Sequence, residues 1–479
     1  MNNRQKIKNI PTAILSMAMV FSCVLSLGSN AQGQTIPDFP TASCHVTHVE
    51  DLASCGTLSV PLDWSDPDGE KIDLNIAILP PSGGQIDATP LFLLAGGPGQ
   101  AATDAGRLIV VALRGVREGR EVILVDQRGT GASAPFVCDV DDLPATASGK
   151  ELTDRCMAGI PGDPRFFTSA SFIKDIEAVR SAFGYELINL WGGSYGTRAS
   201  LLYAREYPQY VRAMILDAVA PPSRSIFSND AQTFSASLEK TFQACADDAD
   251  CSAAFGNVAE KFDTLRQNLD QAPQKVAFSD TQPEIEIKGR EFTESLRGAL
   301  YSPDTSAMIP FVIDRALAGD LDPWRAIADN GIISDVSIGL LLSVQCAEEA
   351  PRAVNDANDT VYFAPAFDHT LKEACENWET ASYPEGFGSP VTVDIPTLLL
   401  SGALDPITPP AFAEEAAETL ANSKHLVAQA GGHSITAFGC VPLLIEEFLN
   451  DLDLAAIDGS CLDEISRPPF ILSPSGPNP

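Results

Sequence analysis

The chain has 479 residues, 45% of them hydrophobic and 7% aromatic, which supplies a sizeable core and excludes wholesale disorder. Its 64 acidic side chains against 31 Lys and Arg give a formal charge of −33, a surface that repels nucleic acid and anionic lipid headgroups and excludes them as partners. The length suits either two or three units or one enlarged domain that carries an insertion.

The first predicted element is a leader. Arg4, Lys6 and Lys8 precede an apolar run at residues 13–27 and the small-residue stretch Ser29, Asn30 and Ala31, the pattern of a secretory signal peptide cleaved after Ala31. The run is shorter than the roughly 20 residues that a bilayer-crossing helix needs, and no later stretch is long enough. No stable membrane insertion is therefore expected, and the processed protein is predicted to be periplasmic or secreted. Cys23, preceded by Val20 and Ser22, keeps a lipoprotein reading open, with Phe21 a poor fit to it. Losing the leader removes three bases and no acids, so the processed chain is more acidic still; this is read as a solubilising exterior, not as a sign of a cationic substrate.

Besides Cys23, the 11 cysteines comprise Cys44, Cys55, Cys138, Cys156, Cys245, Cys251, Cys346, Cys375, Cys440 and Cys461. An even number in an exported chain favours disulfides, and these ten fall into five sequence-adjacent pairs. Sequential pairing is the simplest arrangement, although sequence alone does not fix connectivity. No pair has the C-x-x-C spacing of a zinc knuckle, so no metal site is expected, and no cofactor is implied.

Short apolar runs at residues 91–95, 122–126 and 187–190 read as strands, with helical patterns at 172–183 and 197–207 and a further strand at 213–216 that stops at Asp217 and Pro221-Pro222. From residue 223 to about 345 the pattern turns helical and acidic, with helices predicted at 234–246, 259–269 and 308–317; this reads as an inserted helical cap. Strand 397–401, helix 410–420, strand 425–428 and helix 441–449 restore the earlier alternation. The predicted fold is α/β, with a mostly parallel sheet flanked by helices and an inserted helical cap. Its parts are a leader at 1–31, core at 32–222, cap at 223–345 and core again at 346–479. The tail from Arg467 to the end is Pro-rich and is expected to lie along the surface or fray.

The chemistry concentrates at strand ends. Gly192-Gly193-Ser194-Tyr195-Gly196 follows a strand and opens a helix, the context in which a G-x-S-x-G turn lifts a serine hydroxyl above the sheet. A tight glycine turn with a surface serine is the plain alternative. A serine nucleophile needs a base, and of the five histidines only His433 sits in a Gly-Gly-His turn just after a late strand. The acid that orients it is predicted to be Asp405, which follows strand 397–401 and lies between serine and histidine in chain order. Asp217, at the end of the preceding strand, is the other candidate. Backbone N–H groups of Tyr195 and of Gly97, in Gly96-Gly97-Pro98-Gly99, are expected to form the oxyanion hole.

Gly96-Gly97-Pro98-Gly99, Asp126-Gln127-Arg128-Gly129-Thr130-Gly131, Gly192-Gly193-Ser194-Tyr195-Gly196, Asp405 and Gly431-Gly432-His433 occur in an order that resembles the proline iminopeptidase and tripeptidyl aminopeptidase family of serine peptidases. The resemblance spans about residues 57–222 and 346–449, and residues 396–449 are similar to the carboxyl-terminal part of the secreted tripeptidyl aminopeptidases. It implies that Asp126 and Arg128 order the active-site loops. Ala95 stands where many iminopeptidases have histidine, which argues against strict proline specificity.

The resemblance implies an exported aminopeptidase that releases amino acids to tripeptides through an acyl-enzyme on Ser194. An esterase or lactonase with the same triad, acting on a small acyl substrate, is the alternative, because one fold hosts many acyl transfers. A non-catalytic binding protein on this scaffold is disfavoured by the full set of catalytic groups. In the resembling aminopeptidases, acids at the junction of cap and core hold the substrate's ammonium. That implies substrate-binding roles for Glu348 and Glu349, against the plain account of two more acids on an acidic surface.

Overall fold

A computed structural model describes residues 41–83, 89–140, 143, 147–228, 230–277, 284–328, 336–353, 362–364 and 369–477. The expected leader, with Cys23, lies outside the described residues. Strands β1 (Ala42–Cys44), β2 (Ala53–Pro61), β3 (Lys71–Leu79), β4 (Leu91–Leu94), β5 (Val122–Val125), β6 (Ile188–Gly193) and β7 (Val211–Asp217) come first. A two-stranded pair follows, β8 (Gln274–Val276) with β9 (Ile285–Ile287), and then β10 (Thr397–Gly402) and β11 (Ser423–Ala428).

Nine of these strands form one sheet in the order β1-β2-β3-β5-β4-β6-β7-β10-β11. From β5 to β11 every neighbouring pair is parallel, whereas β1, β2 and β3 form an antiparallel flank that joins at β5. That flank was not among the predicted elements, though Lys71–Leu79 carries a readable alternation of buried and exposed residues at its start. The strands from β5 to β11 keep one direction, but the order in which the chain adds them reverses at β4, with β5 on one side and β6 on the other, so the loops after β4 and β6 open into the crevice where this architecture places its sites.

Parallel strands buried on both faces read as continuous apolar runs, and their side chains divide strictly between two cores. Phe92, Ile123, Leu190, Leu216 and Leu399 pack with Ile176, Val179 and Leu201 on one face. Leu91, Leu93, Leu124, Ile215, Leu398 and Leu400 pack with Val116, Ile445 and Phe448 on the other.

Between β7 and β10 the chain runs through helices that include Asp230–Asp247, Val258–Gln271 and Ile309–Leu317, interrupted by the β8–β9 pair. These helices bury a core of their own around Phe234, Phe262, Phe292, Val312 and Trp324. Of the two expectations for the carboxyl-terminal tail, the structure shows it, through residue 477, lying along the cap and not fraying. Phe470 is only 3% exposed inside the cap core, and the N–H of Ile471 donates to the carbonyl of Ala307 at 3.1 Å, so the tail docks on the cap. A proline-rich composition hid one aromatic anchor.

The ten cysteines pair sequentially as Cys44–Cys55, Cys138–Cys156, Cys245–Cys251, Cys346–Cys375 and Cys440–Cys461. Among the described residues no helix is long and apolar enough to cross a membrane.

Candidate active site

Ser194 stands between β6 and the helix Tyr195–Glu206, with φ 54° and ψ −121°, a conformation that costs a non-glycine residue about 1–3 kcal/mol. The flanking glycines make the turn possible. A Cβ on Gly196 would lie 2.0 Å from the carbonyl oxygen of Leu94, and one on Gly192 would lie 2.5 Å from that of Gly196. The hydroxyl is thus raised on a turn that the sheet beneath holds by backbone contact.

His433 and Asp405 meet as expected from sequence. The imidazole Nδ1 donates to Asp405 Oδ2 at 2.9 Å, which leaves Nε2 as the nitrogen for a serine hydroxyl. Asp405 is buried, and its Oδ1 accepts the N–H groups of Ile407 at 2.8 Å and Thr408 at 2.9 Å. Thr408 also donates its hydroxyl to Oδ2 at 2.8 Å, and the Thr408 Oγ1 itself lies 3.3 Å from His433 Nδ1. Burial pushes against the Asp405 charge, but the His433 imidazole and these donors outweigh it and hold the carboxyl below its ordinary range. Burial likewise opposes protonation of His433, and the Asp405 carboxylate overcomes it, so the imidazole is raised above 6.5.

Asp217 has a different employment. Its carboxylate accepts from Ser434 Oγ at 2.5 Å and from the N–H groups of Ile435 and Thr436 at 2.9 and 2.7 Å, which fixes the loop that carries His433. Its carbonyl accepts the N–H of Ser194.

Gly97, at φ 103°, lies in the loop directly after β4, and Tyr195 is the first helical residue after the serine. The first N–H groups of a helix have no intrahelical partner, so the Tyr195 N–H suits an oxyanion donor. Asp126 braces the loop after β4: it accepts from the N–H of Thr103 at 2.9 Å and from Asn75 Nδ2 at 2.8 Å. Arg128 is fully buried and binds Asp175 through two nitrogens, at 2.7 and 2.5 Å.

The two junction acids are placed inside the protein. Glu348 and Glu349 are 1% and 2% exposed, so they are not acids of the surface. Glu349 accepts from Arg198, from Arg352 and from the N–H of Ile226. Glu348 accepts from the N–H and hydroxyl of Ser169, at 2.8 and 2.7 Å. Both carboxylates, expected from sequence to hold a substrate ammonium, are engaged by partners within the chain.

The cap reaches each loop around the serine. The N–H of Ser337 donates to the Gly99 carbonyl at 2.9 Å, and the N–H of His433 donates to the Tyr301 carbonyl at 2.8 Å. The Tyr301 ring stands edge-on to the imidazole, 5.1 Å between centres. Ser237 and Lys240 donate to the carbonyls of Leu404 and Ala403, at 2.9 and 2.8 Å, just before Asp405. Sequence reasoning missed Thr408 and Tyr301. An Asp followed three residues later by Thr is a readable side-chain turn signal, whereas nothing local marks Tyr301.

Known proteins resemble this arrangement in sequence. Residues 89–281 match the family described as alpha/beta hydrolase fold, and residues 360–461 match that described as TAP-like protein. The chain is 25% identical over 454 residues to Serine protease Hip1 of Mycobacterium tuberculosis, which covers 83% of this chain and 86% of that one. It is 26% identical over 192 residues to Tripeptidyl aminopeptidase of Streptomyces lividans, 36% of each chain. Proline iminopeptidase of Neisseria meningitidis is 27% identical over 150 residues, 31% of this chain and 39% of its own. Fold, motif order and relatives agree: the chain has the α/β-hydrolase fold and is a serine hydrolase of the peptidase type, similar to the tripeptidyl aminopeptidases and proline iminopeptidases, with a carboxyl-terminal region that matches TAP-like protein.

Proposed function

We propose that this serine hydrolase is an exported aminopeptidase that releases short amino-terminal fragments, with Ser194, His433 and Asp405 as its triad. Ser194 Oγ bonds to the substrate carbonyl carbon while its proton passes to Nε2 of His433, and Asp405 steadies the imidazolium. The backbone N–H groups of Gly97 and Tyr195 receive the oxyanion. The imidazolium then gives its proton to the amine as the C–N bond breaks, and water, activated by the same histidine, releases the acyl group from Ser194. Five disulfides support an oxidising compartment and therefore export.

The attachment of the cap to all three catalytic loops, through Ser337, Tyr301, Ser237 and Lys240, carries the exopeptidase reading. A roof fastened at those points favours a chain end over the middle of a polypeptide. The test is cleavage of aminoacyl, dipeptidyl and tripeptidyl amides with free and with acetylated amino termini, beside short-chain esters. Short free-amine substrates are expected to be cleaved and their acetylated forms sharply less so. Equal cleavage of blocked and free peptides identifies an endopeptidase, and turnover confined to esters identifies an esterase or lactonase.

A further inference from the structure

The nucleophile's neighbour anchors a buried polar chain that the triad does not use. Gln127 Nε2 donates to the Tyr195 hydroxyl at 3.1 Å, and that hydroxyl lies 2.7 Å from Ser169 Oγ. Ser169 Oγ donates onward to Glu348 Oε2 at 2.7 Å, while the Ser169 N–H donates to Oε1 at 2.8 Å. Because Ser169 spends its one proton on the carboxylate, it accepts from Tyr195, and Tyr195 accepts from Gln127. Every donor thus points toward Glu348. Ser169 is the first residue of the helix Ser169–Ala182, whose amino terminus favours an anion at that place.

We infer that Glu348 is a positioning residue of the oxyanion hole: through Ser169 it holds the Tyr195 side chain, and so the Tyr195 backbone N–H, in line with the carbonyl under attack at Ser194. This rests on the assignment of Ser194 as nucleophile and Tyr195 as oxyanion donor. Tyr195 is the first residue of its helix and its ring is fully buried, so the side chain sets the orientation of the peptide that bears the N–H. An oxyanion donor works only when aimed at the oxygen as charge develops on it.

The direction of the chain depends on the ionised carboxylate. A protonated Glu348 must donate to Ser169 Oγ, which would then turn its own proton toward Tyr195 and leave the Tyr195 hydrogen facing Gln127 Nε2, another donor. Burial pushes Glu348 up to about 7, with the Ser169 donors and Arg198 opposing it and the Glu349 charge adding to it. The charged and titratable groups around Glu348 are Arg198 and Tyr195 on the helix Tyr195–Glu206, Glu349 beside it, and Arg352, whose Nε donates to the Glu348 carbonyl.

The experiment compares Glu348→Gln, Tyr195→Phe and the double variant with the full-length wild type. Glutamine puts an NH2 group where the carboxylate accepted, and phenylalanine removes the hydroxyl while leaving Glu348 and Ser169 paired. Each is expected to lower kcat by about ten- to a hundredfold with KM little changed, and the double variant to lose no more than the worse single, since all act through one chain. The Ki of a peptidyl trifluoromethyl ketone, whose hemiketal oxygen occupies the oxyanion hole, is expected to rise by the factor kcat falls. The acid limb of log kcat/KM against pH should lose one proton's slope in Glu348→Gln. If that variant fails to fold, Tyr195→Phe decides the matter by the same kcat and Ki readings. Ser194→Ala is run beside them: retained turnover there overturns the nucleophile assignment and the inference with it. An inactive Ser194→Ala with wild-type kcat and Ki in Tyr195→Phe overturns the role of Glu348 alone.

Discussion

The carbonyl of Asp217 accepts the N–H of Ser194 at 2.8 Å, while the carboxylate of the same residue caps the loop that begins just after His433. One residue at the end of β7 therefore fixes both sides of the gap that a proton crosses in the proposed transfer from serine to histidine. β7 lies between the strands that lead to Ser194 and to Asp405, with Gly193 and Leu400 as the register partners of Asp217. The order of strands in the sheet is what lets one residue brace both.

This division of labour separates the two aspartates. Asp405→Asn removes the charge that holds the imidazole in its working tautomer, and kcat is expected to fall on the order of 10^3- to 10^4-fold. Asp217→Asn places an amide against the N–H groups of Ile435 and Thr436, so it should lower the melting temperature and impair turnover far less. Thermal melts and steady-state kinetics on the two variants check this. The reverse ranking in kcat moves the acid to Asp217.

Ser194 is strained as well as being the proposed nucleophile, and the two properties can be read apart. Ser194→Ala and Ser194→Gly should both lose at least ~10^3-fold in turnover, since the nucleophile is gone. Glycine accepts φ 54° and ψ −121° without the steric cost of a Cβ, so Ser194→Gly is expected to melt above Ser194→Ala. Melting curves of the two inactive proteins, recorded side by side, give the difference directly.

The pH dependence follows from the Asp405–His433 pair. Burial alone would lower the imidazole, but the carboxylate raises it above 6.5, and a base works only when neutral. Activity is therefore lost as pH falls through a midpoint above about 6.5, the ordinary histidine value. Glu348→Gln isolates this limb, and Asp405→Asn should shift it to lower pH. A rate flat down to about pH 4 is incompatible with His433 as the base.

The parts of this site that sequence made legible are those whose geometry is local. A strand, a glycine-flanked serine and a helix specify the turn at Ser194, and Gly431-Gly432-His433 after a strand specifies the base loop. Glu348 shows the opposite case. Its burial depends on Ser169, 179 residues away, and no pattern near Glu348 announces that a helix amino terminus will face it. Read locally, it was either a surface acid or an amine anchor. The antiparallel flank is intermediate: the alternation in β3 is visible, but β2 mixes exposed and half-buried positions and carries little periodicity.

Disulfides add a check on the compartment. Labelling the denatured, unreduced protein with a thiol reagent should find none of the ten paired cysteines free. Replacing Cys346 and Cys375 together by Ala should cost about 2–4 kcal/mol, because that bridge closes a loop between residues 29 apart in sequence. Urea melts of the double variant measure the loss, and free thiols at both positions in the wild type contradict the pairing.

Thr408 supplies the most economical test of how the acid is held. Its hydroxyl donates to Asp405 Oδ2, the oxygen that also faces the imidazole, while Oδ1 is held by the backbone N–H groups of Ile407 and Thr408. Thr408→Val keeps shape and volume but removes the donor from a buried carboxylate, a loss of about 1.5–3 kcal/mol for a hydrogen bond to a charged group. With one donor gone, the carboxylate is freer to rotate and less stabilised as an anion, so kcat/KM should fall by roughly ten- to a hundredfold. Thr408→Ser restores the hydroxyl and should recover most of that activity. Equal activity in the valine and serine variants would mean that the two backbone N–H groups alone orient Asp405.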